Sequence, residues 1–169
     1  MAHQTKGPAI VVQPDEGKSY WQPVPANGYS EVKLSRRNLP ADDKFSMGVQ
    51  VIAPHSYIRE HQHDAFNEVL FFFEGEGRVE VDGVSHPVRP GTTVYAGHWV
   101  KHKIINESDK DLKMAWTLMP GGLEDFFAGI GRARTPGEPA PSPFPRPDNV
   151  EEIEAATVFA PIQDSPPAD

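Results

Sequence analysis

The sequence predicts an all-β domain, a barrel or a sandwich, on three observations. Short β-rich runs at 29–34, 44–52, 68–73, 78–81, 93–95, 100–105 and 112–118 recur through the first two-thirds of the chain, separated by Gly, Pro and Asn. Turn signals lie between them: Asp82-Gly83 inside Val81 to Val84, and Glu74-Gly75-Glu76-Gly77. No helical pattern alternates with these runs, so a parallel βα architecture is not expected.

Taken in order, residues 1–28 hold one short apolar run, Ile10-Val11-Val12, and the aromatic pair Tyr20-Trp21. Neither buries well alone, so this arm is expected to cover the barrel or cross to a second subunit. Residues 29–118 carry the strands. On the second run Met47, Val49 and Val51 alternate, and on the third Leu70 and Phe72 share the parity of Glu68. Phe71 and Phe73 face the other way, so that strand is apolar on both sides and its outer face needs cover. A homodimer is the economical answer. Leu112, Met114, Trp116 and Leu118 alternate on the last run.

Residues 119–169 differ in character. Met119-Pro120-Gly121-Gly122 breaks the last strand, and Leu123, Phe126, Phe127 and Ile130 then recur at helical spacing. That stripe should pack on the barrel or over its mouth. Six of the twelve residues 136–147 are proline, which predicts an extended strap unable to pair as an internal strand. Residues 150–159 suit a short second helix capped by Asp148 or Asn149, with Glu151 and Glu152 in its first turn. Residues 165–169 are expected to fray.

The 169 residues suit one domain. No run of 18 apolar residues predicts a membrane span, and the N-terminus lacks an apolar signal core. The absence of cysteine excludes disulfides and thiol catalysis. The net charge of −8 argues against nucleic acid and anionic membranes as partners. The acidic excess concentrates from Glu138 to Asp169, where seven acidic residues face one Arg, and reads as a solvated tail. A cytoplasmic protein is the default expectation.

The chemistry lies between the strands. On a β-strand, side chains at i and i+2 share a face, so His61 and His63 can both aim inward. Glu68, five residues on, has the wrong parity for one continuous strand, and a turn or bulge at Asp64-Ala65-Phe66-Asn67 would restore it. Further along, Val100, His102 and Ile104 alternate with Lys101 and Lys103, which sets His102 on the core side. Three imidazoles and a carboxylate suit one borderline divalent metal: iron, manganese or nickel foremost, with cobalt, copper or zinc as alternatives. An isolated His in a strand is usually a hydrogen-bonded surface residue; the whole constellation is much harder to obtain by accident.

These residues resemble the motifs of the cupin superfamily, Gly-x5-His-x-His-x(3,4)-Glu-x6-Gly and Gly-x5-Pro-x-Gly-x2-His-x3-Asn. The first is met by His61, His63, Glu68 and Gly75, with His55 in the place of its opening Gly. The second is met by Gly91, His102 and Asn106, with Gly97 and Trp99 standing for Pro and Gly. The resemblance covers about residues 44–118, and the tails loosely resemble those of small quercetinase-like cupins. It implies a single-domain cupin β-barrel (a double-stranded β-helix or jelly roll) with short C-terminal helices, and a metal held inside by His61, His63, Glu68 and His102.

The parity that turns His61 inward also turns Tyr57 and Arg59 inward if the strand is unbroken. Tyr57 would then serve as acid or hydrogen-bond donor, and Arg59 would hold an anion. Equally, Tyr57 fits a barrel rim and Arg59 a surface ion pair. Met47, Val49, Phe72, Met114 and Trp116 are the expected apolar pocket, although such alternation usually marks plain core. The expected function is a metal-dependent dioxygenase acting with O₂ on a phenolic or enolic small molecule, with Glu68 alternating between ligand and base. The alternatives are a non-redox lyase, isomerase or decarboxylase of a small acid, and a non-catalytic metal- or ligand-binding protein.

Overall fold

The computed structural model describes residues 6–162, so the fraying expected at 165–169 lies outside the described residues. The strands are β1 (Lys18–Trp21), β2 (Tyr29–Leu34), β3 (Ser46–Ile52), β4 (Ser56–His61), β5 (Asn67–Glu74), β6 (Gly77–Val81), β7 (Val84–Val88), β8 (Thr93–Ala96), β9 (His102–Asn106), β10 (Leu112–Met119) and β11 (Arg132–Ala133). Two helices, α1 (Leu123–Ile130) and α2 (Val150–Ala155), follow β10. The strands form an antiparallel seven-stranded sheet, β11-β1-β2-β3-β10-β5-β8, facing a four-stranded sheet, β4-β9-β6-β7. This is the all-β jelly roll with short C-terminal helices that the sequence predicts.

Asp82 and Gly83 both take positive φ (47° and 79°), as the two-residue hairpin between β6 and β7 requires. Pro87 sits on β7 at the sheet edge, where its missing N–H costs no ladder bond. Four strands lie outside those seven runs: β1, β4, β7 and β11, although the parity argument for His61 and His63 supposes a strand where β4 forms. Tyr20-Trp21 is the end of β1, paired with both β2 and β11, so part of the 1–28 segment belongs to the large sheet.

The interior face of the large sheet runs in rows across three strands. Ser46, Leu118 and Glu68 make one row, Gly48, Trp116 and Leu70 the next, and Gln50, Met114 and Phe72 the third. Ile52, Leu70, Phe72, Ile104, Leu112, Met114, Trp116 and Leu118 are essentially fully buried. The phase of β3 is opposite to the one its hydrophobic pattern suggests. Met47 and Val49 lie half-buried on the outer side, while Ser46, Gly48 and Gln50 face the interior. The reason is steric: a Cβ on Gly48 would come within 2.6 Å of the Trp116 ring, so this strand presents small and polar groups to the large indole.

The helical stripe packs as expected, with Leu123, Phe126, Phe127 and Ile130 buried. Phe127 lies 5.4 Å from Trp116, centroid to centroid, which ties α1 to the core. The proline-rich segment forms no strand; Phe144 is buried within it, and its carbonyl accepts a 2.9 Å hydrogen bond from Val24. Asn149 caps α2 without a side-chain bond, and Glu151 and Glu152 occupy the first turn.

Candidate metal centre

β4 delivers His61, and the chain then bends through Asp64 and Ala65 before β5 starts at Asn67. The bend resets the pleat, so Glu68 enters the interior opposite β9, which delivers His102. His63 lies past the end of β4. Its carbonyl accepts a 2.7 Å bond from the Trp99 N–H, and its ring centroid lies 5.4 Å from that of His61 and 5.6 Å from that of His102. One ligand atom from each of His61, His63, Glu68 and His102 lies within 4.8 Å of the others.

All three imidazoles are oriented alike. His61 Nδ1 meets the Arg59 carbonyl at 2.8 Å, His63 Nδ1 the Val158 carbonyl at 2.6 Å, and His102 Nδ1 the Val100 carbonyl at 3.0 Å. A carbonyl only accepts, so each Nδ1 carries a proton and Nε2 is the atom each ring has left to ligate, once His102 gives up the proton it shares with Glu68. His102 Nε2 and His63 Nε2 sit 2.8 and 3.7 Å from Glu68 Oε2. His63 Nε2 is buried with no hydrogen-bond partner among the described residues. A buried acceptor without a partner is costly unless something occupies the space before it. The donor set and this orphan atom fit one divalent metal ion.

The electrostatics agree. Burial pushes the His61 imidazole well below its ordinary value, and the neighbouring His102 and His63 push the same way. Burial alone would raise Glu68, but the hydrogen bond with His102 and the closeness of the His102 and His63 imidazoles outweigh it and hold the carboxyl far below the usual carboxylate range. Burial lowers His102, and the Glu68 hydrogen bond overrides it, so His102 is raised. Without a metal, the cluster therefore keeps a proton on the His102–Glu68 pair.

A cavity opens on this cluster. His61 and Glu68 stand at one end, and Leu70, Ile104 and Met114 form part of its wall. α1 closes another side with Leu123, Phe126, Phe127 and Ile130. Of the expected pocket residues, only Met114 borders this space. Phe72 and Trp116 are buried in the core beside it, and Met47 and Val49 point away because of the phase of β3.

Tyr57 and Arg59 are also displaced from the expected geometry. The pairing of β4 with β9 slips by one residue between Ile58 and His61, which puts Ile58 on the interior side with Ile104. Tyr57 and Arg59 therefore lie at the cavity mouth rather than beside the ligands. Lys103 Nζ stands 5.0 Å over the Tyr57 ring, and Arg59 pairs with Glu154 of α2, as does Arg146.

Sequence reasoning missed the C-terminal contribution. Phe159 packs 5.3 and 5.2 Å from the His61 and His63 rings and 4.4 Å from Phe126. Ala160 N–H donates to the Gln62 carbonyl at 3.0 Å, and Gln62 Nε2 donates to the Pro161 carbonyl at 2.6 Å. Residues 158–161 are thus clamped onto the ligand-bearing loop. No periodicity in the sequence marks this.

Comparison with known proteins agrees with this architecture. Residues 48–118 match the family model described as a cupin domain, and together with the fold this match supports the cupin superfamily. His55 and Trp99, which replace motif glycines, both keep the left-handed backbone, with φ of 53° and 64°. Protein SchB of Streptomyces halstedii is 32% identical over 74 residues, 44% of this chain and 54% of its own. Polyketide synthase CurC of Streptomyces cyaneus is 28% identical over 74 residues, 44% of this chain and 48% of its own. The chain spans about half the length of these curated relatives. Among solved structures, a predicted oxalate decarboxylase from Thermotoga maritima superposes with a TM-score of 0.57 at 21% identity, covering 66% of this chain and 99% of that one. A sugar phosphate isomerase from Silicibacter pomeroyi also gives 0.57, at 16% identity over 65% of this chain and 75% of that one. At these identities the two structures share the fold.

Proposed function

We propose that this protein is a metal-dependent enzyme acting on a phenolic or enolic small molecule, with O₂ as co-substrate. The observation that carries the reading is the apolar, aromatic-walled cavity that ends on the His61–Glu68 side of the cluster. A planar apolar substrate with one acidic hydroxyl fits such a space, its ring against Phe126 and Phe159 and its oxygen toward the ligands. The similarity to a protein named as a polyketide synthase supports the same substrate chemistry.

A divalent ion held by His61, His63, Glu68 and His102 would supply Lewis acidity toward the phenolate and, if redox-active, electron transfer with O₂. The chain supplies the rest. The apolar walls exclude water. The carbonyls of Arg59, Val158 and Val100 hold the three imidazoles in one tautomer. Glu68 is a weak base while His102 donates to it, so any substrate proton it takes up requires that donor to be withdrawn. Tyr57 and Arg59 act at the mouth, on substrate entering the cavity.

One observation favours a second reading, non-redox chemistry on a small acid. Arg59 and Arg146 both border the cavity and share the single carboxylate of Glu154. The net positive charge left there suits an anionic substrate. Oxygen-electrode traces with phenolic and β-diketone substrates, on iron-, manganese- and nickel-loaded protein, separate the two. Substrate-dependent O₂ uptake supports the first reading. Turnover of a carboxylic acid without O₂ uptake replaces it with the second.

A further inference from the structure

Gln50 is the residue this cavity leaves unexplained. It lies on β3, faces the interior, is only 6% exposed and turns toward the cavity, with no side-chain hydrogen bond to another described residue. It borders the same cavity as His61 and Glu68, beside the apolar side chains of Leu70, Ile104 and Met114. Gln22, the other amide there, differs in that its Nε2 already donates to the Tyr20 carbonyl at 3.2 Å. The amide keeps two donors and an acceptor for whatever enters the cavity, where an apolar residue would serve packing alone. A few polar groups set in a largely apolar cavity wall are the groups that orient a ligand.

Position defines what the amide would meet. Gln50 lies in the row with Met114 and Phe72, while Glu68 lies in the row with Leu118 and Ser46, four residues further along β3. At about 3.3 Å per residue the two rows are roughly 13 Å apart along the strands. Subtracting the reach of the side chains leaves room for a frame longer than a single ring. We infer that Gln50 is a substrate-binding, specificity-determining residue, whose amide hydrogen-bonds an oxygen at the end of an elongated aromatic substrate remote from the metal ligands. This rests on the phenolic reading above and adds to it a second oxygen and a minimum length.

The test uses the full chain loaded with zinc, which binds without redox turnover. Two flat two-ring probes are titrated calorimetrically: 2,6-dihydroxynaphthalene, with an oxygen at each end, and 2-naphthol, with one. The wild-type protein should bind the diol at least about tenfold more tightly, as expected for one buried hydrogen bond. Gln50→Met, of similar length and without the amide, should lose that preference. It should also keep its metal content and show an unchanged or higher Tm, because the amide has no partner to lose in the free protein. A variant that keeps the preference overturns the role of Gln50 while leaving the phenolic reading intact. Failure of wild-type protein to bind either probe overturns the phenolic reading and this proposal with it. A Tm several degrees lower in Gln50→Met would show that the amide has a structural partner, and the proposal falls whatever the titrations show.

Discussion

Metal uptake at His61, His63, Glu68 and His102 competes with the proton that the metal-free cluster already holds. His102 is raised by Glu68, and a metal needs that Nε2 free, so binding must expel the proton. The apparent affinity should therefore rise with pH, by up to about tenfold per unit while one proton is displaced. Competition with a chromophoric chelator at several pH values checks this, and a flat profile would mean that His102 is not a ligand. His61→Ala should remove most of the metal, whereas His86→Ala and His98→Ala, outside the cluster, should keep it. His55 offers a separate test. Its φ of 53° is strained for a residue with a Cβ, and it is exposed beside Asp109. Left-handed strain of about 1–2 kcal/mol is partly offset by the greater freedom glycine gives the unfolded chain, so His55→Gly should stabilise by about 0.5–1 kcal/mol in chemical denaturation. At this scale the four ligands were legible because imidazole and carboxylate spacing is a chemical pattern. The places of Tyr57 and Arg59 were not, because a single slipped residue between Ile58 and His61 inverts the parity and leaves no trace in composition.

At the scale of elements, α1 and the segment after α2 build the site's cover. Phe126 and Phe127 are both buried and both border the cavity. The double change Phe126→Ala with Phe127→Ala should cost at least about 3 kcal/mol and weaken substrate binding or turnover. Metal content should survive, since every ligand precedes α1. Unchanged stability and kinetics would make the helix peripheral. The segment after α2 should behave differently. Ending the chain at Thr157 removes the Val158 carbonyl that orients His63 and the Phe159 ring beside it. Metal affinity should fall about 10–100-fold, the usual loss when a group orienting a ligand is removed. An unaltered affinity would show that His63 is oriented without the tail. The stripe of α1 was readable because helical periodicity survives in one dimension. The tail contributes one carbonyl and one ring, which have no period, and β11 is a strand only because it finds β1 across the chain.

At the scale of the whole molecule, the outer face of β5 and β8 remains apolar. Phe71, Phe73 and Tyr95 are 44, 40 and 63% exposed, and Val11 in the N-terminal segment is 77% exposed. Covering such a face stabilises association at about 25 cal/mol per Å² of apolar surface, before the entropy of association is subtracted. A homodimer through this face is the expected solution state, and Phe71→Asp with Phe73→Asp should dissociate it. Light scattering that reports a monomer of the unaltered protein at micromolar concentration removes the idea.

The sequence by itself determined the all-β class, the hairpin at Asp82-Gly83, the inward phase of β10, the helix after it and the set of side chains that could hold a metal. Each of these rests on local chemistry or on a period set by backbone geometry, and both are written along the chain. The phase of β3, the mouth position of Tyr57 and Arg59, the clamp of Val158 on His63 and the lone amide of Gln50 were decided only by the tertiary structure. They depend on the bulk of Trp116 opposite Gly48, on one residue of slippage against β9, and on a contact across 95 residues of chain. Packing and register settle between segments, so no reading along one of them contains the answer.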